Sequence, residues 1–503
     1  MKTVVLLTAG IGSRMGKYSS VTNKTLLPIR DKAIISHIIE QFPEDTRFVI
    51  AGGYKKELVL SYLLLAHPKT NFSFVEVSNF DGPGSGPAHS LFCCKQYIDG
   101  PFLLIACDAH FEKLNEIPTD KNYVCVAQVE PSDSPAYCNV ELDGTRIRTI
   151  VDKRHCDSGL AVSGAFYIKD TETFWNGLCG VELSSGWNAN EVHAFEIPWT
   201  DLGTYDRYQK FYLENSPYDF SKTDEFLYII NGRVIKWFKD PQITFNRVMR
   251  ADQWDMFPKI DYTDPYGFYS YKFVPGETLY AHVTPEIFED FMKWIAFNMW
   301  CNYDPKKCLT NEMCVDFYHT KTMKRLALFR EKYPDFDPKV INGKAMKIDI
   351  DNGLQLIKWD AICNSDLQQR TAFIHGDLQF DNIIYNGENF KLLDWRQDFA
   401  GRLDIGDVYY DIAKLLGGMI IHYDLIKANA FDYHEMYGGS VVNFSMTQHE
   451  GYEQLRDRLQ HMLPDMVIEQ IVTLIFLNMA PLHSAPFDKL LYCLALERLN
   501  VLA

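Results

Sequence analysis

The sequence predicts an α/β protein of two domains, a Rossmann-like N-terminal domain followed by a bilobal α+β domain. Three observations carry this. A short apolar run, Val4-Val5-Leu6-Leu7, enters a glycine-rich turn, Thr8 to Gly16, at once, as a buried parallel strand does when it feeds a ligand loop. A second run, Phe102 to Ile105, brings Asp108 to its carboxyl end, where an α/β sheet gathers its ligands. Later, two hairpin patterns turn at Asn231-Gly232 and Asn386-Gly387, with a stretch of helical periodicity between them.

The 503 residues give room for about three compact units. We place them at 1–212, 213–280 and 281–503, the join falling in the turn-rich segment Glu214 to Asp219. A hydrophobic content of 47% supports sizeable cores, and a formal charge of −16 argues against a nucleic-acid-binding surface. The twelve cysteines lack metal spacing; Cys301, Cys308 and Cys314 come nearest to a cluster and read as structural thiols. Val4 to Leu7 is too short for a signal-peptide core, and no apolar run approaches the ~20 residues of a membrane span. The expectation is a cytoplasmic protein with no membrane insertion.

In the first domain, Ala9, Gly10, Gly12 and Ser13 form a loop whose backbone amides suit phosphate oxygens, with Arg14 as a charged fork and Lys24 just beyond. A dinucleotide fingerprint would need glycine where Met15 stands, so an NAD site is disfavoured. Further on come Phe48 to Tyr54 with Gly52, then Gly82-Pro83-Gly84-Ser85-Gly86, and finally Trp199-Thr200-Asp201-Leu202-Gly203-Thr204. Together these resemble the nucleotidyltransferases that make nucleotide-activated sugars and amino alcohols. The resemblance implies catalytic Arg14 and Lys24. Ala9, Gly10, Gly12, Ser13, Gly52, Gly84, Ser85 and Gly86 would bind nucleotide, and Asp108 and Asp201 would hold Mg²⁺. Lys153 stands where that family often has a substrate-phosphate lysine, and a solvated surface lysine is the competing reading.

The second domain centres on residues 373 to 396, FIHGDLQFDNIIYNGENFKLLDWR. Phosphoryl transfer needs a carboxylate for the hydroxyl proton, and an amide oxygen with a second carboxylate for magnesium. Asp377, Asn382 and Asp394 offer these groups in order, with a hairpin between the last two. The segment resembles the Brenner motif of the aminoglycoside phosphotransferase and choline kinase family, with HGD where protein kinases have HRD. A protein-kinase-like fold follows from that resemblance. Asp377 is then the base, Asn382 and Asp394 are metal ligands, and Lys236 is the nucleotide lysine of the small lobe, with Lys239 as its substitute. No glycine-rich loop precedes Lys236, and the helix expected at about Thr244 to Phe257 has no glutamate to pair with it; Asp252 and Asp255 are the candidates. Tyr269 to Val274 reads as the hinge strand. Asp407 and Asp411 read as structural, and residues 414 to 503 as helical.

A kinase and a nucleotidyltransferase in one chain are consecutive steps, so the expected partners are ATP, a second nucleoside triphosphate and a small alcohol, with Mg²⁺ as cofactor. A homo-oligomer is compatible with this. The domain order matches fusions of a phosphocholine-type cytidylyltransferase with a choline-kinase-like domain, which favours CTP and an amino alcohol. Phe166, Tyr167, Trp175, Trp187 and Trp199 beside Glu182, Glu191 and Glu196 offer an amine cage, as Tyr433, Glu435 and Tyr437 do in the second domain. Asn188, Asn190 and His193 would suit a sugar equally well, giving a sugar kinase joined to a sugar-phosphate nucleotidyltransferase. A degenerate kinase domain that binds ligand and regulates the transferase is the reading of another class.

Overall fold

The computed structural model describes residues 2–187, 191–215, 223–301, 304, 306–462 and 466–503. Asn188, Asn190 and positions 216–219 of the expected join lie outside them. The chain divides into two compact units, one of Met1–Asn215, Lys222–Pro241 and Tyr262–Ser270, the other of Ser216–Ser221, Gln242–Asp261 and Tyr271–Ala503.

The first unit is built on a nine-stranded sheet. Its strands are β1 (Thr3–Leu7), β2 (Arg47–Gly52), β3 (Asn71–Glu76), β4 (Phe102–Ala106), β5 (Asn122–Gln128), β6 (Cys138–Asp143), β7 (Arg146–Asp152), β8 (Leu160–Ile168) and β9 (Val192–Glu196). They run in the order β3-β2-β1-β4-β8-β5-β9-β7-β6. The β3-β2-β1-β4 half is parallel, and β8 joins it antiparallel. Alternate side chains on these strands serve two separate cores. Val4, Leu6, Phe48, Ile50, Leu103 and Ile105 face one; Val5, Val49, Ala51, Phe102 and Leu104 face the other. Burial on both faces is why the strands read as continuous apolar runs. Helices α1 (Lys56–Ala66) and α2 (Pro87–Cys94) belong to the crossovers of this half. A two-stranded ribbon, Ala109–Phe111 against Trp199–Asp201, then carries the chain past the end of β4, and α3 (Tyr205–Asn215) follows.

The hairpin of β10 (Glu225–Ile230) and β11 (Arg233–Phe238) turns on Asn231 and Gly232, at φ 52° and 70°, the left-handed pair that a two-residue turn demands. With β12 (Ile260–Thr263) and β13 (Phe268–Lys272) it forms a four-stranded sheet in the order β10-β11-β13-β12. Phe226, Tyr228, Ile230, Ile235, Trp237 and Phe268 join the core of Val4 and Leu6.

In the second unit the expected hairpin forms as β14 (Ile383–Tyr385) and β15 (Phe390–Leu392), with Glu277–Thr278 paired on its edge. Around it stand α4 (Pro241–Ala251), α5 (Pro285–Ile295), α6 (Lys321–Lys332), α7 (Val408–Ile420), α8 (Met466–Met479) and α9 (Phe487–Asn500). Helix α7 packs on α8, and α8 on α9.

Two expectations are corrected here. The helix read at Thr244 to Phe257 begins at Pro241 and ends at Ala251, because proline fits a helix's first turn and the apolar Met256-Phe257 pair leaves the helix to be buried beneath the hairpin. Residues 414 to 503 are not all helical. Phe431–Met436 and Val441–Met446 pair antiparallel through Gly438-Gly439, and Val340–Ile341 adds beside them in parallel. The alternating Phe431, Tyr433 and Glu435 with a double glycine was the signal for a hairpin.

Candidate active sites

The first site gathers at the carboxyl ends of β1 and β4. Thr8 and Tyr54 donate backbone hydrogen bonds to Ala51 and Ala9, which joins the glycine loop to the end of β2. The residue that fixes the loop is Asn23, fully buried, whose Nδ2 donates to the carbonyls of Thr8 and Tyr54 at 2.8 Å each while its Oδ1 accepts from Thr25 N. Lys24 is thereby carried past Gly12, whose missing side chain leaves room for the lysine stem; a Cβ there would lie 3.4 Å from Lys24 Cδ. Lys24 Nζ reaches Asp108 Oδ2 at 2.6 Å. Burial would push the Asp108 carboxyl up, but Lys24 and then Arg14 hold it below its ordinary value.

The ribbon places Asp201 opposite Ala109, the residue after Asp108. A Cβ built on Gly203 would lie 3.0 Å from Asp201 Oδ1, 3.4 Å from Arg14 Nη2 and 3.5 Å from Asp108 Oδ2, so three of the expected side chains converge on one point. Asp201 is itself partnered, by Gly203 N at 2.8 Å and by the Arg207 guanidinium. Arg207 lies over the Tyr137 ring, 4.9 Å from its centroid. Burial and then the Asp201 charge push the Tyr137 hydroxyl up to about 12, and that hydroxyl is hydrogen-bonded to Asp201.

The remaining predicted residues are more dispersed. Gly52 and Gly53 are close-packing glycines: a Cβ would meet the Phe74 ring at 2.3 Å in the first and Ala9 O at 2.7 Å in the second. Gly84 and Ser85 lie on the turn after Gly82, to whose carbonyl Ser85 Oγ donates, and Gly86 precedes α2 with its α-carbon pressed on Val181. Lys153 is exposed at φ 47°, its N–H donating to Tyr137 O. Among the described residues, three rings of the expected amine cage pack against other rings. Phe166 and Trp187 are buried against each other with centroids 4.4 Å apart, and Trp175 stacks on Phe102.

The second site is the loop after Thr371–Ala372. His375 is fully buried. Its Nδ1 accepts from Asp377 N at 3.1 Å, so its Nε2 carries the proton and donates to Leu393 O at 2.8 Å. Burial pushes its pKa down to about 4, so the ring stays neutral. Leu393 N donates to Asn382 O, and Asn382 Nδ2 donates to Asp377 O at 2.8 Å. Leu393 is thus pinned from both sides, which sets Asp394 beside the His375–Asn382 loop with φ 55°. Below the loop Asp411, fully buried on α7, accepts from His375 N, Gly376 N and Trp300 Nε1, and burial raises its pKa to about 6. Asp407 is also fully buried, bonded to Arg370 and to Tyr318 Oη.

Four cations attend this loop, three from outside the 373–396 segment and Arg396 at its end. Lys414 of α7 reaches Asp377 Oδ1 at 2.8 Å. Burial would raise the Asp377 carboxyl, and Lys414 reverses this, holding it far below the usual carboxylate range. Arg247 of α4 reaches Asp394 at 3.3 Å. Arg396 and Lys321 lie on the two-ring platform of Phe317 and Tyr410, with Phe317 5.0 and 4.3 Å away from them respectively. Gly376, at φ 82°, makes room for Arg396; a Cβ would fall 2.6 Å from Arg396 Cβ. Lys236 is buried on β11 opposite Leu227, while Lys239 ends that strand's run with its N–H on Asp224 O. Asp252 and Asp255 are exposed.

Among the described residues no group of three acidic, histidine or cysteine side chains forms a ready cation cage. Two carboxylates converging on one point, as at Asp108 and Asp201, fit magnesium, which is commonly held by one or two carboxylates together with substrate phosphates. None of the helices in the described residues is long and apolar enough to cross a membrane.

Residues 4–116 match the MobA-like NTP transferase domain, and residues 257–439 match the phosphotransferase enzyme family. The chain is 26% identical over 171 residues to the bifunctional protein GlmU of Methanococcus maripaludis, covering 33% of this chain and 40% of that protein. It is 34% identical over 129 residues to the GlmU of Methanocaldococcus jannaschii, covering 25% and 30%. It therefore spans less than half the length of these curated relatives. A UDP-glucose pyrophosphorylase solved with UDP-glucose aligns over 42% of this chain and 98% of its own, at 18% identity and a TM-score of 0.36. The chain thus joins members of two transferase families, a MobA-like NTP transferase domain and, after it, a domain of the phosphotransferase enzyme family.

Proposed function

We propose that the chain is a bifunctional enzyme that phosphorylates a small alcohol at the second domain and couples the phosphomonoester to a nucleotide at the first. In the first step the acceptor oxygen attacks the γ-phosphorus of ATP. The new O–P bond forms as the bond to ADP breaks, and the hydroxyl proton passes to Asp377. The Lys414 ion pair keeps Asp377 ionised for that task. In the second step a phosphomonoester oxygen attacks the α-phosphorus of a nucleoside triphosphate and pyrophosphate leaves. Arg14 and Lys24 face the charge that develops. Magnesium would be held by Asp108 and Asp201 in one site and by Asn382 and Asp394 in the other, where it would neutralise phosphate charge. Lys236 is assigned to the ATP phosphates, and Lys153 to the phosphomonoester.

The observation that carries the reading is the convergence of Arg14, Asp108 and Asp201 around Gly203 in a chain that also hydrogen-bonds Asn382 to Asp377 and to Leu393, the residue before Asp394. The same loop speaks against a degenerate, purely regulatory kinase domain. CTP as the second triphosphate rests on the order of the domains, as does a destination in glycan or lipid decoration. Mass analysis of products from the full chain with ATP, CTP or UTP and a panel of alcohols tests the reading. A nucleoside diphosphate derivative that requires both triphosphates and the alcohol is the expected product. Phosphorylation without any coupling, or coupling of a supplied phosphomonoester without any phosphorylation, would refute the two-step assignment.

A further inference from the structure

The cations around Asp377 bear on the acceptor, provided that the kinase reading above holds. Three of them can be followed atom by atom. Lys414 holds the base itself at 2.8 Å. Lys321 sits one turn after Phe317, at the junction where the π-helical turn Val315–Thr320 passes into α6, an irregularity that often marks a functional position. Its ammonium lies 4.3 Å from the Phe317 centroid and 5.7 Å from that of Tyr410. Arg396 covers Phe317 at 5.0 Å and gives its Nε to Asp398 O, a backbone carbonyl. Neither Lys321 nor Arg396 has a carboxylate partner among the described residues.

Nearby acids have other partners: Asp381 has Lys427, Asp404 has Arg402 and Lys307, Asp398 accepts from Gly401 N and faces Arg250, and Asp411 holds the loop backbone. Arg325 adds a further positive charge felt at Lys321. Asp377 is the carboxylate whose charge reaches Lys321, beside the positive charges of Arg396, Lys414 and Arg325. Burial, followed by the Arg396, Lys414 and Arg325 charges, drives the Lys321 ammonium well below its ordinary pKa. Such crowding is costly until an anion enters. A cationic acceptor would meet repulsion from this face, and a neutral polyol would leave its charges uncompensated.

We propose that the kinase acceptor is an acidic alcohol, whose hydroxyl meets Asp377 while its carboxylate or phosphate lies against Lys321 and Arg396. The class excludes choline and ethanolamine, which carry only positive charge. The acceptor keeps its anionic group through the step, so the product is a phosphomonoester with a second anion.

The test pairs acceptors that differ in one acidic group: glycerate with glycerol, gluconate with glucitol, and glycerol phosphate with glycerol, beside choline and ethanolamine. The full chain with Mg²⁺ and ATP is followed by ADP release and ³¹P resonance of the product. The expected result is an acid, from at least one pair, preferred at least ~10-fold in kcat/KM over its neutral partner and over both amines, as loss of one charge-assisted contact implies. The glycerate and glycerol phosphate arms separate a carboxylate from a phosphate ligand. Preference for a neutral or amine acceptor overturns the inference and leaves the kinase reading standing. Failure of every acceptor overturns both. Lys321→Met should raise KM for the acidic acceptor ~10–100-fold while KM for ATP stays within about two-fold, with Lys321→Arg restoring much of it. A rise in the ATP KM instead would assign these cations to the donor and overturn the proposal.

Discussion

The two sites store charge in the same way and assemble it differently. Each aspartate has its own cation: Lys24 on Asp108, Arg207 on Asp201, Lys414 on Asp377, Arg247 on Asp394. In the transferase domain Asp201 takes its cation from six residues on, at the start of α3, and Asp108 takes its own from beside the glycine loop, 84 residues earlier. In the phosphotransferase domain the acids come from one loop and the cations from α4, α6 and α7, elements far apart in sequence. One site draws its cations from the recognised motifs or a few residues beyond them. The other is a motif that tertiary packing must complete.

The sharpest way to break the comparison is to remove one acid from each site. Asp377→Asn should lower acceptor phosphorylation by about 10²–10⁴ and leave coupling of a supplied phosphomonoester within two-fold of wild type, about the error of an assay. Asp108→Asn should do the reverse, since an amide holds Mg²⁺ poorly. Loss of both activities in a folded single variant, checked by circular dichroism, would mean that the sites are not independent. Next, Lys24→Ala should slow nucleotidyl transfer by about 10²–10³, and Lys153→Ala by much less. Equal losses would reverse the ranking of the two lysines.

The third expectation concerns pH. Lys414 favours the ionised form of Asp377, so deleting its charge must raise the carboxyl's pKa. In Lys414→Met the acidic limb of the kinase kcat/KM profile should therefore move upward by at least about one pH unit. Wild type keeps a working base well into acid, and the variant loses it as pH falls toward that range. Lys414→Arg should restore the limb. An unmoved limb in Lys414→Met would reduce the lysine to a packing role. The smallest effect is expected from Tyr137→Phe, which takes one hydrogen bond from Asp201. A loss of roughly 2–10-fold in nucleotidyl transfer with unchanged thermal stability is the outcome to check.

How much of this could be read in advance follows the same division. Asp108 at a strand end and Asp201 before Gly203 were legible because short-range backbone geometry fixes them, and so were both hairpins, through Asn-Gly turns and period-two alternation. Asn23 was visible as a polar residue before Lys24, yet nothing local says that its amide is buried between Thr8 and Tyr54. Arg207 lies close after Asp201 and was within reach. So was Arg396, two residues after Asp394. Lys321 and Arg247 were not, because ordinary surface lysines and arginines look the same until helices converge. The aromatic residues failed for the opposite reason: Phe166 and Trp187 suggested a cage, but large rings are cheapest to place in a core, and that is where they lie.

Gly376 and Arg396 make a single locus. The α-carbon of one is pressed against the stem of the other, and the backbone at 376 is left-handed. Grafting the arginine of an HRD loop onto this chain would thus collide with an arginine already delivered from just beyond Asp394. The positive charge has changed its address along the chain while staying at the loop. A designer would have to exchange both positions together, and a reader of related sequences should look two residues past the second aspartate whenever the loop shows glycine.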